Sequence, residues 1–207
     1  MILATIFIVG FGLCAGKAAA VFTPEKLNST QLFRRSVNMV RTKDDLHLRM
    51  FSSDIKHEIP KCLVSRFLKR NNDKTYRTLE VNNIVESKEI VTDQKLTGLK
   101  TNVSIIVKKG DPPFFQATFE GGAPPESWKT TQYVKYAKPG WCLILGSSRG
   151  ERLNPHCTLW GPVTCTGKCW LYCQMTFVEK CSTGVPVHLT QCTQTNVEKG
   201  GSKPIPK

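Results

Sequence analysis

Histidine is scarce in this 207-residue chain, with His47, His57, His156 and His188 the four examples, and none of them sits in a His-Glu-x-x-His run. Without two imidazoles one helical turn apart there is no zinc-hydrolase ligand set, and each histidine is read as a surface or core-rim residue rather than a general base. Acidic residues are few as well, 16 against 29 Lys plus Arg, for a formal net charge of +13. A surface with that imbalance favours anions: a glycosaminoglycan, an acidic protein patch, phospholipid headgroups or a carboxylate ligand. The basic residues are scattered and match no nucleic-acid-binding motif, which argues against DNA or RNA as a partner. No apolar run reaches the roughly 18 residues of a spanning helix, so no membrane span is expected.

The longest apolar run is N-terminal. Met1 to Gly16 is mostly aliphatic and is followed by Lys17 and Ala18-Ala19-Ala20. This reads as a secretory signal peptide over residues 1–20 with an Ala-x-Ala site cut before Val21, although its first residues lack Lys and Arg. Cys14 leaves with that leader, so eight of the nine cysteines remain. An even count in an oxidising compartment reads as four disulfides. Losing Lys17 brings the net charge to +12, one below that of the full chain. The 187 remaining residues make one domain over 21–195, long enough to bury roughly 70% of its unfolded surface. Residues 196–207, with Gly200, Gly201, Pro204 and Pro206 among lysines, read as a flexible basic tail.

Between Val21 and Asp44 the spacing of Leu32, Phe33, Val37 and Val40 predicts a short helix. From Asp45 the pattern changes to brief alternating runs. Leu46, Leu48 and Met50 fall on one face of a strand with His47 and Arg49 on the other. Cys62 to Lys69 and Tyr76 to Val81 read as a hairpin joined by the five polar residues Arg70 to Lys74. Further strands are expected at Asn102–Lys108, Phe114–Glu120, Thr130–Ala137, Cys142–Gly146 and Cys157–Trp160, punctuated by Gly- and Pro-rich connectors such as Gly110-Asp111-Pro112-Pro113. Many short strands with one late helix predict an antiparallel barrel or sandwich. The sequons Asn28-Ser29-Thr30 and Asn102-Val103-Ser104 make Asn28 and Asn102 glycosylation candidates in a secreted chain.

The late helix is Cys169 to Cys181, where Cys169, Cys173, Phe177 and Cys181 recur every four residues and lie along one stripe. Leu171, Tyr172, Met175 and Val178 supply further apolar surface, and after Pro186 a last extended piece, Val187 to Cys192, returns to the body. Cys165, Cys169 and Cys173, with His156 or His188, have a loose zinc-ligand spacing. Thiolates in an oxidising compartment cross-link first and the eight pair without remainder, so no metal and no other cofactor is assigned.

The run Tyr133-Val134-Lys135-Tyr136 leading to Cys142-Leu143-Ile144-Leu145, then Cys157-x-Leu159-Trp160, Cys173-x-x-x-Phe177-x-x-x-Cys181 and a terminal Cys192 resembles the tick salivary lipocalins, often called the tick histamine-binding protein family. The resemblance covers Leu46 to Cys192. It implies an eight-stranded antiparallel up-and-down barrel with a short N-terminal helix closing it and a C-terminal helix packed outside, in a secreted, monomeric, non-enzymatic binding protein. Eight cysteines allow roughly a hundred connectivities. Among them the resemblance implies Cys62–Cys192, Cys142–Cys173 and Cys157–Cys181, leaving Cys165–Cys169 as a local pair that departs from the commoner family pattern.

In amine-binding members an aspartate directly follows the strand cysteine and a glutamate directly precedes the Leu-Trp pair. Here those positions are Leu143 and Thr158, so histamine or serotonin would find no counter-ion by that route; Glu80 or Glu120 are the substitutes to consider. The expected ligand is a small host mediator, an anionic or apolar lipid such as a leukotriene, a thromboxane or a fatty acid. Phe67, Leu79, Phe115, Phe119, Tyr133, Tyr136 and Trp160 are the candidate lining residues, with Arg66 or Arg77 to meet a carboxylate in a bidentate hydrogen bond. The alternative is a scaffold with an inert interior whose basic surface binds a host plasma protein or a glycosaminoglycan.

Overall fold

The computed structural model describes residues 23–81, 100–121, 128, 130–150 and 156–192; the expected leader and tail fall outside them. Helix α1 spans Ser29–Val40 and starts on a reciprocal cap. Asn28 accepts the Gln31 N–H at 2.9 Å, and the Gln31 side chain accepts the Asn28 N–H at 3.0 Å, so two of the helix's orphan donors are satisfied. Leu32, Ser36, Met39 and Val40 form its buried face.

The strands are β1 (Leu46–Ser52), β2 (Leu63–Ser65), β3 (Phe67–Asn71), β4 (Lys74–Val81), β5 (Lys100–Lys108), β6 (Phe114–Glu120), β7 (Gln132–Lys138), β8 (Cys142–Gly146) and β9 (Cys157–Gly161). β2 and β3 are one strand interrupted at Arg66, and both pair with β4. Each strand is antiparallel to its neighbour in sequence, and β1 pairs with β9, so the sheet closes into an eight-stranded up-and-down barrel. Closure removes the free edges that an open sheet exposes.

Alternation decides which side chains fill it. Leu79 of β4, Val103 and Ile105 of β5, Phe115 of β6, Val134 and Ala137 of β7, Leu143 and Leu145 of β8 and Trp160 of β9 belong to the interior cluster. Register shifts interrupt the rule at three places among the described residues, one of them between Phe67 and Lys69 on β3. On β1 the register shifts between Leu48 and Met50, so Leu46, Leu48 and Phe51 join the interior while Met50 packs in the outer cluster. The expected common face for Leu46, Leu48 and Met50 is thereby broken after two residues. On β7 the shift between Val134 and Tyr136 sends Tyr136 to the same outer cluster.

Two local expectations change. The turn between β3 and β4 is two residues, Asn72-Asp73, not five, because Asn72 adopts φ 52°, a conformation asparagine tolerates better than most residues. The extended piece expected at Val187–Cys192 is instead the short strand β10 (Gly184–Pro186), paired with β1 at Met50–Ser52, followed by a 3-10 turn at Leu189–Gln191.

Helix α2 (Lys168–Cys181) lies on the outer wall, with Cys173, Thr176, Phe177 and Cys181 buried. Leu171, Met175 and Val178, expected to fill apolar demand, point to solvent, Leu171 with 56% of its surface exposed. Disulfides Cys142–Cys173 and Cys157–Cys181 fasten the helix to β8 and β9, Cys165–Cys169 closes its first turn, and Cys62–Cys192 ties the segment after β10 to the start of β2. Across a separation of 130 residues, the last removes on the order of 5 kcal/mol of unfolded-state freedom.

Candidate functional site: the barrel interior

Helix α1 lies across the end of the barrel that carries the short turns. Arg41 reaches the carbonyl of Asn72 in the β3–β4 turn at 3.3 Å, and the Ser29 hydroxyl bonds the Asp111 carboxylate beyond β5. Just inside that end stands Arg77, 1% exposed. Its Nε donates to Ser65 Oγ at 3.0 Å, its Nη1 to the carbonyls of Val40 and Thr42 at 3.1 and 2.7 Å, and its Nη2 to those of Asp44 and Ser65, both at 2.8 Å. A guanidinium has five N–H donors, so all of them are engaged by the protein itself. Burial pulls the Arg77 pKa down to about 10, with Asp45 and Asp44 acting the other way; the group stays charged at neutral pH and serves to close the barrel.

Beyond Arg77 and Ser65 the cavity wall is apolar apart from the indole nitrogens. Val40, Leu46, Leu79, Val103, Ile105, Phe115, Trp128, Leu143, Leu145 and Trp160 surround a cavity of only ≈ 20 Å³, room for about one water. Phe119, Trp128 and Trp160 form a row of edge-to-face rings, with centroids 6.0 and 5.9 Å apart and both interplanar angles 87°, a geometry favourable to aromatic quadrupoles. The Trp160 Nε1 donates to Thr158 Oγ1 at 3.0 Å. No Asp or Glu is buried among the described residues. Leu143 and Thr158, the positions at which the resemblance places the carboxylates of amine-binding tick lipocalins, are both buried, and Thr158 Oγ1 accepts from Trp160.

The sequence-predicted lining residues divide. Arg77, Phe115 and Trp160, with Leu79, meet at the cavity, and Phe119 packs one ring away on Trp128. Phe67 is half-buried at the start of β3 and does not border the cavity. Arg66 lies on the outer wall, bridged to Asp45 at 3.2 Å and to Glu80, because the residue between β2 and β3 faces away from the lumen. Glu80 is held there by Arg66 and Lys100, and Glu120 is exposed at the end of β6. Tyr136 is outside as well, its hydroxyl 2.8 Å from that of Tyr172 on α2, and burial with this hydrogen bond raises its pKa. Tyr133 stacks obliquely on Phe114 and accepts from Arg149 Nε at 3.2 Å. Of the cavity's aromatic residues Trp128 is the one that the sequence did not point to; it stands in a Gly- and Pro-rich connector with no periodic pattern.

Three other groupings were open from the sequence. The sulfurs of Cys165, Cys169 and Cys173 cluster within metal-binding distance, but all three are in disulfides and have no thiolate to offer. No Gly-x-Ser-x-Gly run was expected near the histidines, yet Gly146-Ser147-Ser148-Arg149-Gly150 has the spacing of a nucleophile elbow. It follows β8 with no helix among its described residues, and the Ser148 hydroxyl donates to the Gly150 carbonyl at 3.1 Å. The nearby His156 ring meets Asp54 at 3.2 Å, while its backbone N–H, not its ring, bonds Ser147 Oγ. Of the two sequon residues, Asn28 has its oxygen committed to the α1 cap, and Asn102 is exposed on the outer wall of β5. A cleft of ≈ 470 Å³ on the outside, bordered by Glu25, Lys135, Tyr136, Arg149 and Glu179, carries charges of both signs.

No family model and no curated protein matches the chain. Its fold is similar to that of japanin from Rhipicephalus appendiculatus, a structure solved bound to cholesterol, with a TM-score of 0.53, 16% sequence identity and coverage of 72% of this chain and 94% of japanin. At that identity the likeness establishes the lipocalin barrel and its two helices.

Proposed function

We propose that the protein is a secreted lipocalin of the tick salivary kind that sequesters a neutral, largely apolar host lipid and thereby blunts inflammation or haemostasis. The observation that carries this reading is the chemistry of the interior. Among the described residues its one cation, Arg77, has every donor engaged, and no carboxylate is buried. An ionised lipid headgroup would therefore lose its hydration without a free partner, as would an amine. The cholesterol held by japanin is a ligand of this class. Pockets for drug-sized ligands measure roughly 300–1,000 Å³, so binding requires the interior to widen from a ≈ 20 Å³ cavity. That opening lowers the apparent affinity by the fraction of molecules that are open.

Native mass spectrometry of the mature, disulfide-intact chain tests the reading with cholesterol, 1-hexadecanol, arachidonate, a leukotriene, histamine and serotonin. Neutral lipids are expected to be retained ahead of the carboxylates, and amines not at all. Retention of an amine, or of none of the lipids, removes the proposal.

The tight interior also favours a second reading, a scaffold that acts through its surface. Lys69, Arg70 and Lys74 are exposed around the β3–β4 turn, with Asp73 between the strands as the nearest acid in sequence. Arg41 lies close enough to Arg70 for its pKa to be lowered, after the larger effect of burial. A sulfated glycosaminoglycan is the partner that this hairpin suits.

A further inference from the structure

We propose that the indole N–H of Trp128 is the polar anchor of the barrel interior, and that the ligand it selects is a lipid presenting one neutral hydrogen-bond acceptor, a hydroxyl, carbonyl or ester oxygen, at its buried end. The inference rests on the lipid reading above and adds the chemistry of the ligand's polar end. Among the described residues Trp128 Nε1 is the buried side-chain nitrogen or oxygen that has no hydrogen-bond partner. Such groups are rare in folded proteins and each asks for an explanation. Of the other interior N–H donors among the described residues, Trp160 Nε1 is spent on Thr158, and Arg77 on Ser65, Val40, Thr42 and Asp44. Trp128 borders the cavity, and its ring is held between Phe119 and Trp160 at near-perpendicular angles. The donor is thus fixed in direction within apolar walls. A single neutral donor matches a single neutral acceptor; it leaves a carboxylate mostly unsolvated, and it offers nothing to an ammonium, which is itself only a donor.

The test uses the mature chain with its disulfides intact and indole-¹⁵N tryptophan, and two probe pairs: cholesterol with cholest-5-ene, and 1-hexadecanol with hexadecane. One recovered hydrogen bond to a buried donor predicts that each alcohol binds about tenfold more tightly than its hydrocarbon. The indole N–H resonance of Trp128 should move downfield with the alcohols and not with the hydrocarbons, a readout that needs no variant to fold. In Trp128→Phe the affinity for each alcohol should fall to that for its hydrocarbon. Equal binding of alcohol and hydrocarbon by the wild type, or a preference that survives in Trp128→Phe, overturns the anchor while the lipid reading stands. Binding of none of the four probes overturns both.

Discussion

Arg77 on β4 donates to the carbonyl of Val40, the last residue of α1, at 3.1 Å. The bond reaches from the barrel's inner wall to the helix that caps it, and the other four donors of the same guanidinium bind the segment Thr42–Asp44 and Ser65. Arg77 is therefore the piece that seals this end of the barrel.

Replacing it with methionine keeps the length and leaves buried carbonyls without donors. Each buried acceptor left without a donor costs about 1–3 kcal/mol, so Arg77→Met is expected to lose several kcal/mol of stability in urea unfolding. Arg77→Lys should recover little of it, because an ammonium cannot reproduce the planar fork. A loss under 1 kcal/mol in both would mean that the cap is held elsewhere.

His47 makes stability fall with acid. It is 8% exposed on β1, and its pKa is lowered by burial first, with Arg49 and Arg66 adding and Asp45 opposing. The unfolded chain takes up this proton near pH 6.5, the folded chain only at lower pH. Between those values the unfolded state holds more protons, so stability declines as pH drops below about 6.5. Unfolding free energies measured from pH 7.5 to 5 should show this slope in the wild type and a shallower one in His47→Gln. An unchanged slope would exclude His47 as its source.

The disulfides should differ in worth. Loop closure scales with the logarithm of the span: Cys62–Cys192 encloses 130 residues and Cys165–Cys169 only 4. Replacing the first pair by alanine is expected to cost about 5 kcal/mol and the second about 2 kcal/mol, read as thermal or denaturant midpoints of each double variant. Equal losses would show that native contacts, not chain entropy, set the effect.

For the surface reading, Lys69→Gln, Arg70→Gln and Lys74→Gln together should advance elution from a heparin column to lower salt and leave sterol retention unaltered, since none of the three borders the cavity. Each charge removed weakens a screened, long-range attraction. Wild-type elution already at physiological salt or below would count against a glycosaminoglycan partner.

Much of the fold was readable in one dimension. Alternation at Val103 and Ile105 and again at Leu143 and Leu145 marks strands because period two is local geometry. The four-residue recurrence from Cys169 to Cys181 marks α2 for the same reason, and the motif order from Tyr133 to Cys192 led to the barrel. Leu143 and Thr158 already spoke against an amine, since a missing carboxylate is visible without coordinates.

The facing of individual side chains was another matter. One extra residue in a strand reverses every side chain after it, so Met50 and Tyr136 left the lumen at bulges that no periodicity announces. Arg66 and Arg77 lie eleven positions apart in similar strand sequences, yet one is ion-paired on the outer wall and the other is sealed within. Trp128 borders the cavity from a connector without pattern. Composition and period belong to the chain alone, whereas burial and the pairing of a donor depend on groups brought together from distant segments, and those exist only once the barrel has closed.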